Sequence, residues 1–592
     1  MTNAKIPVAR SAIFVLLAAA ALAGCARKPV ETAEERKSSV ADLALRNGAI
    51  YTVNGPRSWA ETLAIDDGRI VYVGNDAGAK DYIGPNTRVI DLKGRMVVPG
   101  FQDVHVHPIS GGIEANACDL NALRAVDEYV VKVKECADAN PDEPWITGGG
   151  WWVSAFGPGA LTRKELLDAV VPDRPVFLES VDGHVSWVNS KALEIAGITN
   201  ETPDPPNGRI DRDPKTGEAI GSLQEDADEL VKSRIPPYTD AEREAGLRYA
   251  VKMLNELGIT AIQDANVGYT GNQEGNATED ELRVYRKLDD SGELSLRVVA
   301  ALLWEPLQGL EQIENLKRLR SEYTGGRIDA GSVKIHQDGT LENYTAVVLE
   351  PYRLKGMSDE HGMPMVEPEF LRKAVTQLDA DGFQVHFHAI GDAAVRQSLD
   401  AIEAARTANG NLDNRHHLSH LELVHPDDQP RFRRLGVIAN FQPLWAYADA
   451  YITDLTLPFI SKQAATYMYP IGSIQRTGAV VAFGSDWSVS SANPFWQMET
   501  AVTRMGALGD TKTPWLPEER ITLPEALAAF TINAAYANRD EKESGSLEVG
   551  KRADLAVLDR NLFDIPATEI SDTKVLLTLF EGKTVHGDPG EL

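Results

Sequence analysis

Two imidazoles one residue apart, in Asp103-Val104-His105-Val106-His107, can share a divalent cation if the backbone there is extended, because strand alternation puts Asp103, His105 and His107 on one side. Taken alone, the pair is equally compatible with two packed or surface histidines. Groups of the same kind recur far downstream: His388 in His386-Phe387-His388-Ala389-Ile390-Gly391-Asp392, His420 in His416-His417-Leu418-Ser419-His420, and Asp486 in Gly484-Ser485-Asp486-Trp487. Four imidazoles and a carboxylate match the nitrogen and oxygen donors that zinc prefers. Lys334 stands in the apolar run Val333-Lys334-Ile335, where a buried ammonium is costly without a role. A bound divalent cation lowers the pKa of water from about 15.7 to about 7, so hydroxide forms at neutral pH. The same cation, or a second one, polarises a carbonyl and stabilises its oxyanion. Asp486 would take the proton of the attacking water and return it to a departing nitrogen. Such hydrolysis needs no nucleophilic Ser or Cys.

These residues act together only if one fold gathers them. Strand-like runs at 97–103, 259–265, 297–304, 332–337, 384–389, 416–421, 437–442 and 479–484 alternate with helical patterns such as 241–257, 369–381 and 393–406. Eight alternating units predict an α/β fold, a (β/α)8 TIM-like barrel over 97–544, with function at the strand C-termini where the candidate ligands fall. Residues 111–240 read as an insertion after the first strand, near the substrate side, with a strand at 176–180 and a hairpin around Asp213-Pro214-Lys215-Thr216-Gly217. Residues 42–96 and 545–592 read as short strands, with a strand pair around Asn47-Gly48 and a hairpin at Asp67-Gly68. Neither end has enough strands to stand alone, so both are expected to build one small composite β domain.

The chain has 592 residues, 43% of them hydrophobic and 25% charged, which suits a globular protein with more than one core. A net charge of −28 argues against nucleic acid, whose phosphates require clustered Lys and Arg. It fits a solvated acidic surface. Lys5 and Arg10 precede the apolar run 11–23, which is too short for a permanent membrane span and reads as an export signal over 1–24. The run ends in Leu22-Ala23-Gly24-Cys25, which resembles a bacterial lipoprotein box. That resemblance implies lipidation of Cys25, a flexible tether over 25–41, and a protein held at the membrane by an N-terminal lipid anchor only, facing the periplasm or the cell surface. An oxidising compartment permits a Cys118–Cys136 disulfide without requiring it.

Several segments carry a wider resemblance. Pro99-Gly100-Phe101-Gln102-Asp103-Val104-His105-Val106-His107, Val333-Lys334 with Asp338-Gly339-Thr340, and His388-Ala389-Ile390-Gly391-Asp392 are among them. Leu418-Ser419-His420, Phe483-Gly484-Ser485-Asp486 and Gly545-Ser546-Leu547-Glu548-Val549-Gly550-Lys551-Arg552-Ala553-Asp554-Leu555 complete the set. Over about 42–587 the chain resembles the amidohydrolase superfamily, in its amidohydrolase-3 (YtcJ-like) branch. The resemblance implies that His105 and His107 bind a first, more buried metal, and that His388 and His420 bind a second. It implies further that Lys334 bridges, carboxylated in some members, and that Asp486 binds metal and moves the proton. The reaction expected is hydrolysis of a non-peptide, amide-type carbon–nitrogen bond in a small molecule, with one or two divalent ions, zinc by donor type.

Family members often carry apolar or small residues where His336 and His386 stand; both are read as inward core residues one layer deeper, and His416 and His417 as non-ligands. Trp151, Trp152 and His184 resemble the branch's substrate-side segments, although packing at a domain junction explains them as well. Two other functions stay open at this point: hydrolysis or deamination of a cyclic amide or amidine on the same site, and ligand binding without turnover. The sequence leaves homo-oligomer formation open.

Overall fold

The computed structural model describes Met1 and residues 40–157, 161–268, 277–354, 359–509 and 511–592. The export signal, Cys25 and the 25–39 part of the tether lie outside the described residues.

Eight parallel strands form one sheet in sequential order: β1 Phe101–Val106, β2 Ile259–Val267, β3 Arg297–Leu303, β4 Ile328–His336, β5 Gln384–Ala389, β6 His417–His420, β7 Ile438–Phe441 and β8 Val481–Phe483. The sheet closes where the chain leaves β8: Asp486 N donates to His105 O at 2.7 Å, and His107 N donates to Trp487 O at 2.8 Å. The result is the (β/α)8 barrel. Helices Asp240–Glu256, Pro368–Ala380 and Asp392–Asn409 cover it with apolar faces such as Leu247, Ala250, Val251 and Leu254. The first of these starts where it does because Thr239 and Glu242 cap each other's backbone N–H groups.

The first barrel strand differs from the expected 97–103. Strand Met96–Pro99 belongs to another sheet, and β1 starts only at Phe101. Gly100 sits between them because a Cβ there would collide with the Thr260 hydroxyl, so the chain can pass from one sheet to the other only at a glycine.

Met96–Pro99 pairs antiparallel with Leu555–Leu558 and parallel with Ala49–Tyr51, inside a six-stranded sheet that also holds Val575–Phe580 and Lys583–His586. Strands from both ends of the chain therefore share one sheet. A four-stranded sheet of Leu43–Arg46, Thr62–Asp66, Arg69–Gly74 and Arg88–Asp91 packs beside it through Leu45, Leu63, Ile65 and Leu555. The Asp67-Gly68 hairpin forms, with both residues at positive φ as the tight turn demands. The pair expected around Asn47-Gly48 does not. Leu43–Arg46 and Ala49–Tyr51 lie in different sheets, and Asn47 at φ 55° turns the chain between them.

Between β1 and β2 the chain builds a further six-stranded sheet, including Ile146–Trp151, Val176–Ser180, Gly208–Arg212 and Ala219–Glu225. A Cys118–Cys136 disulfide ties its edge strand to helix Val126–Ala139. Among the described residues, no helix is long and apolar enough to cross a membrane.

Candidate active site

The barrel's C-terminal mouth opens into a cavity of about 1020 Å³, bounded on the far side by the insertion. Alternation along β1 buries His105 in the mouth, and His107, at the strand's end, precedes helix Pro108–Glu114. Asp486 meets both, with Oδ1 at 2.9 Å from His107 Nε2 and 3.4 Å from His105 Nε2. One ligand atom from each of His105, His107 and Asp486 lies within 4.8 Å of the other two. Lys334 Nζ approaches His105 Nε2 at 3.5 Å. His420 Nδ1 stands 3.7 Å from Asp486 Oδ2, and the His388 and His420 ring centroids are 4.5 Å apart. The six residues singled out in the sequence thus converge on one place.

His420 (φ 75°) and Asp486 (φ 56°) have left-handed backbones, at a cost of about 1–3 kcal/mol each for non-glycine residues. Gly484 permits the close approach of β8 to β1: a Cβ there would stand 2.6 Å from the His105 Cβ and N.

Beneath the mouth, polar neighbours fix the ring orientations. His386 Nε2 lies 2.9 Å from both His105 Nδ1 and Ser419 Oγ, so His105 keeps Nε2 for the mouth. His388 Nδ1 bonds Asp338 Oδ1 at 3.2 Å, and Asp338 also accepts the backbone N–H groups of Ile390, Gly391 and Val347. Burial pushes Asp338 up to about 7 against those donors. Burial pulls Lys334 down to about 7. For Asp486, burial works upward, but the His107 contact and surrounding positive partners outweigh it and hold the carboxyl below its ordinary value. Across the cavity, His184 Nδ1 is 2.8 Å from Glu225 Oε2. Burial lowers His184, yet the Glu225 charge and hydrogen bond overcome it and raise the imidazole to about 9.

Three positions depart from or refine the sequence reading. His336 does not lie a layer deeper. It pairs in register with His388 across β4 and β5, its ring centroid 5.5 Å from that of His388, and it lines the cavity. His386 does occupy the lower layer, opposite Lys334. Trp151 does not face substrate space, because strand alternation turns it into the insertion's core against Trp187 and Phe156, with Nε1–H donated to Leu178 O. Trp152 and His184 do line the cavity. His416 bonds Asp379 at 2.9 Å, and His417 packs on His386 with ring centroids 4.0 Å apart; neither lines the cavity. Sequence reasoning missed Glu225, for which nothing in its surroundings signalled a role. It also gave Asp338 none, although Asp338-Gly339 stood in a quoted motif and a carboxylate just past a strand end is a signal in itself.

The donors suit a divalent cation. Both ring nitrogens of His420 are buried without a hydrogen-bond partner, a costly state that a cation relieves. His388, steered by Asp338, has the carboxylate–histidine arrangement common behind metal ligands.

A parallel barrel with His, Lys and Asp at its mouth defines a hydrolase of the metal-dependent kind. The profile of the Amidohydrolase family matches residues 88–586, and the chain belongs to that family, in its amidohydrolase-3 branch. It is 34% identical over 547 residues to Protein LONG AFTER FAR-RED 3 of Arabidopsis thaliana, covering 92% of each chain. It is 27% identical over 555 residues to the N-substituted formamide deformylase of Arthrobacter pascens, covering 91% of this chain and 97% of the other. A solved structure described as an uncharacterized metal-dependent hydrolase from Pyrococcus horikoshii superposes with a TM-score of 0.69 at 25% identity, covering 89% of this chain and 99% of that one. The protein is an enzyme that hydrolyses a carbon–nitrogen bond of a small molecule with a divalent metal.

Asp338→Asn replaces an anionic acceptor behind His388 with an amide that can present a donor. Metal affinity, measured by competition with a chelating dye, is expected to fall about 10–100-fold. Unchanged affinity would show that His388 needs no such support.

Proposed function

We propose that His105, His107, Lys334, His388, His420 and Asp486 hold one or two divalent ions, zinc by donor type, and that Asp486 is the catalytic proton carrier in hydrolysis of an amide-type bond. The observation that carries this reading is His420: two buried, unpartnered ring nitrogens beside Asp486. When bound, the cation supplies Lewis acidity and lowers the pKa of water toward about 7.

The chain's own groups account for the rest. Asp486, kept ionised by His107 and its neighbours, accepts a proton from the attacking water and delivers it to the departing nitrogen. His184, cationic at neutral pH beside Glu225, donates a hydrogen bond to the carbonyl oxygen as negative charge develops there. Trp152 forms part of the apolar wall that excludes water around the bound substrate. Lys334 is suited to carboxylation: its neutral amine adds carbon dioxide, forming a carbamate and releasing one proton. The anion so formed would offset the charge of the cation in a buried setting.

The N-terminus supports a proposed location. Lys5, Arg10, the apolar run 11–23 and Leu22-Ala23-Gly24-Cys25 suit an exported lipoprotein, with a leader at 1–24, lipid on Cys25 and a tether that ends before Ala41, which is buried in the fold. The remainder divides into a β domain of 42–99 with 545–592, and a hydrolase domain of 101–544 carrying the 111–240 insertion.

Four outcomes are expected. Asp486→Asn keeps the fold and most of the metal but loses turnover on N-formyl and N-acyl amines by at least 100-fold, within the range for a general base. His105→Ala instead lowers metal content in elemental analysis. An Asp486→Asn enzyme working at the parental rate would overturn the mechanism. Protein exposed to ¹³C-bicarbonate should show a carbamate carbonyl resonance that Lys334→Arg lacks; its absence from the parent would remove the carboxylation. Finally, Cys25→Ser should shift the protein from the membrane to the soluble fraction of its host, and continued membrane association would refute the lipid anchor.

A further inference from the structure

Beside the candidate metal ligands, the same cavity carries a strongly acidic stretch of lining. Fourteen Asp and Glu side chains line the cavity against three Lys and Arg among the described residues, so its field favours positive ligands. One group of them is drawn from the loops past β4, β6 and β7 together with the insertion. Glu342 and Glu422 are 5% and 4% exposed. The Thr456 hydroxyl donates to Glu342 Oε1 at 3.0 Å. Glu422 Oε2 is buried with no hydrogen-bond partner, as is Asp182 Oδ2, which the insertion contributes. Asp449 completes the group; its charge acts on both Glu342 and Glu422. Burial first, and then Asp182, push Glu342 up to about 7.

Aromatic rings complete the walls. Tyr451 and Tyr469 face the same cavity. Trp445 lines the cavity as well, stacked on His420 with an interplanar angle of 4° and centroids 5.5 Å apart. Buried carboxylates with unused acceptors, set among aromatic faces, are what an organic cation requires: charge-assisted hydrogen bonds on one side and ring quadrupoles on the other. A bare inorganic ion would use the carboxylates but gain little from the rings.

We propose that the compartment formed by Glu342, Glu422, Asp449, Asp182, Tyr451 and Tyr469 binds a protonated amine or guanidinium of the substrate, placing that cationic group beyond Trp445 from the bond that is cut. The assignment rests on the carbon–nitrogen hydrolysis described above, and it names the substrate class: an amide whose amine or acyl part ends in a cation. The unpaired oxygens of Glu422 and Asp182 gain donors when it binds.

The test uses the full-length, metal-loaded enzyme and three matched compounds: N-formyl-1,4-diaminobutane, the neutral N-formylpentylamine and the anionic N-formyl-4-aminobutanoate. The cationic compound should exceed the neutral one in kcat/KM by at least tenfold, with the anionic one lowest. Glu342→Gln and, separately, Glu422→Gln should each cut the cationic-to-neutral ratio at least fivefold in protein whose thermal melting confirms folding. Equal turnover of the cationic and neutral compounds, or ratios untouched by both substitutions, overturns the proposal. A turnover-independent arm titrates 1,4-diaminobutane dihydrochloride into the enzyme by calorimetry beside n-pentanol and calcium chloride. Saturable diamine binding weakened by Glu342→Gln supports the compartment even if all three amides are inert, a result that would count against the reaction and not against the cation site. Calcium binding without diamine binding, or no binding of either, overturns it.

Discussion

Asp486, Lys334 and four imidazoles meet in a barrel mouth from which most water is excluded, and the surrounding architecture is organised around that electrostatic problem. Taking a charge out of water costs several kcal/mol unless partners replace the lost solvation. Asp486 has His107 at 2.9 Å and His105 at 3.4 Å nearby, yet its Oδ1 and both ring nitrogens of His420 are buried without a hydrogen-bond partner. The cluster is therefore unfinished as a purely protein structure. A divalent cation resolves it in one step, because it accepts lone pairs from the imidazoles and positive charge offsets the carboxylate. Binding free energy then becomes stability for a site that is strained without it.

That requirement reaches well below the mouth. Ligand atoms are useful only if each ring presents the correct nitrogen, so His105 is held by His386, which also meets Ser419, and His388 is held by Asp338, itself secured by three backbone N–H groups. Farther down, Gln263 bonds Ser332 and Gln384 across the barrel interior. These side-chain hydrogen bonds tie β2, β4 and β5 together beneath the ligand layer, although Gln263 Oε1 and His386 Nδ1 stay without partners. Gly484 serves the same end by omission: with no side chain it lets β8 close on His105, and the closure bond from Asp486 N to His105 O locks Asp486 and His105 together.

Much of this could be read from the chain. The alternation of apolar runs with helical patterns revealed eight strands because each barrel strand is buried on both faces, and the ligand residues stood out because His and Asp are rare at such strand ends. What escaped was pairing in three dimensions. Whether His336 and His386 share a layer depends on stagger between β4 and β5, and the register sets His336 level with His388 but His386 level with Lys334. Trp151 and Trp152 are neighbours in sequence, yet alternation sends one into a core and the other to the cavity. The Asn47-Gly48 step looked like a hairpin because local turn chemistry is the same whether the chain reverses within a sheet or passes between two. Glu225 gave no signal at all: its importance comes from a contact with His184 across two strands of the insertion.

The division of labour between strands and loops follows from what each can hold still. Strand ends are fixed by hydrogen bonds on both sides, so they carry the groups that must be placed within fractions of an ångström. The rest of the cavity tolerates more latitude, and it is lined by segments beyond the strand ends and by the insertion after β1. Glu342, Glu422 and Asp449 leave from three different barrel loops, and Asp182 and His184 come from one turn of the insertion. No single segment builds the cavity. A change in the insertion can thus alter which molecule enters without disturbing His105, His107 or Asp486, whereas a change in barrel register would destroy the reaction whatever the ligand. That asymmetry separates the two parts of the cavity: the histidine and Asp486 cluster is set by closure of the barrel, whereas the acids and rings beyond it ride on loops that the barrel merely supports.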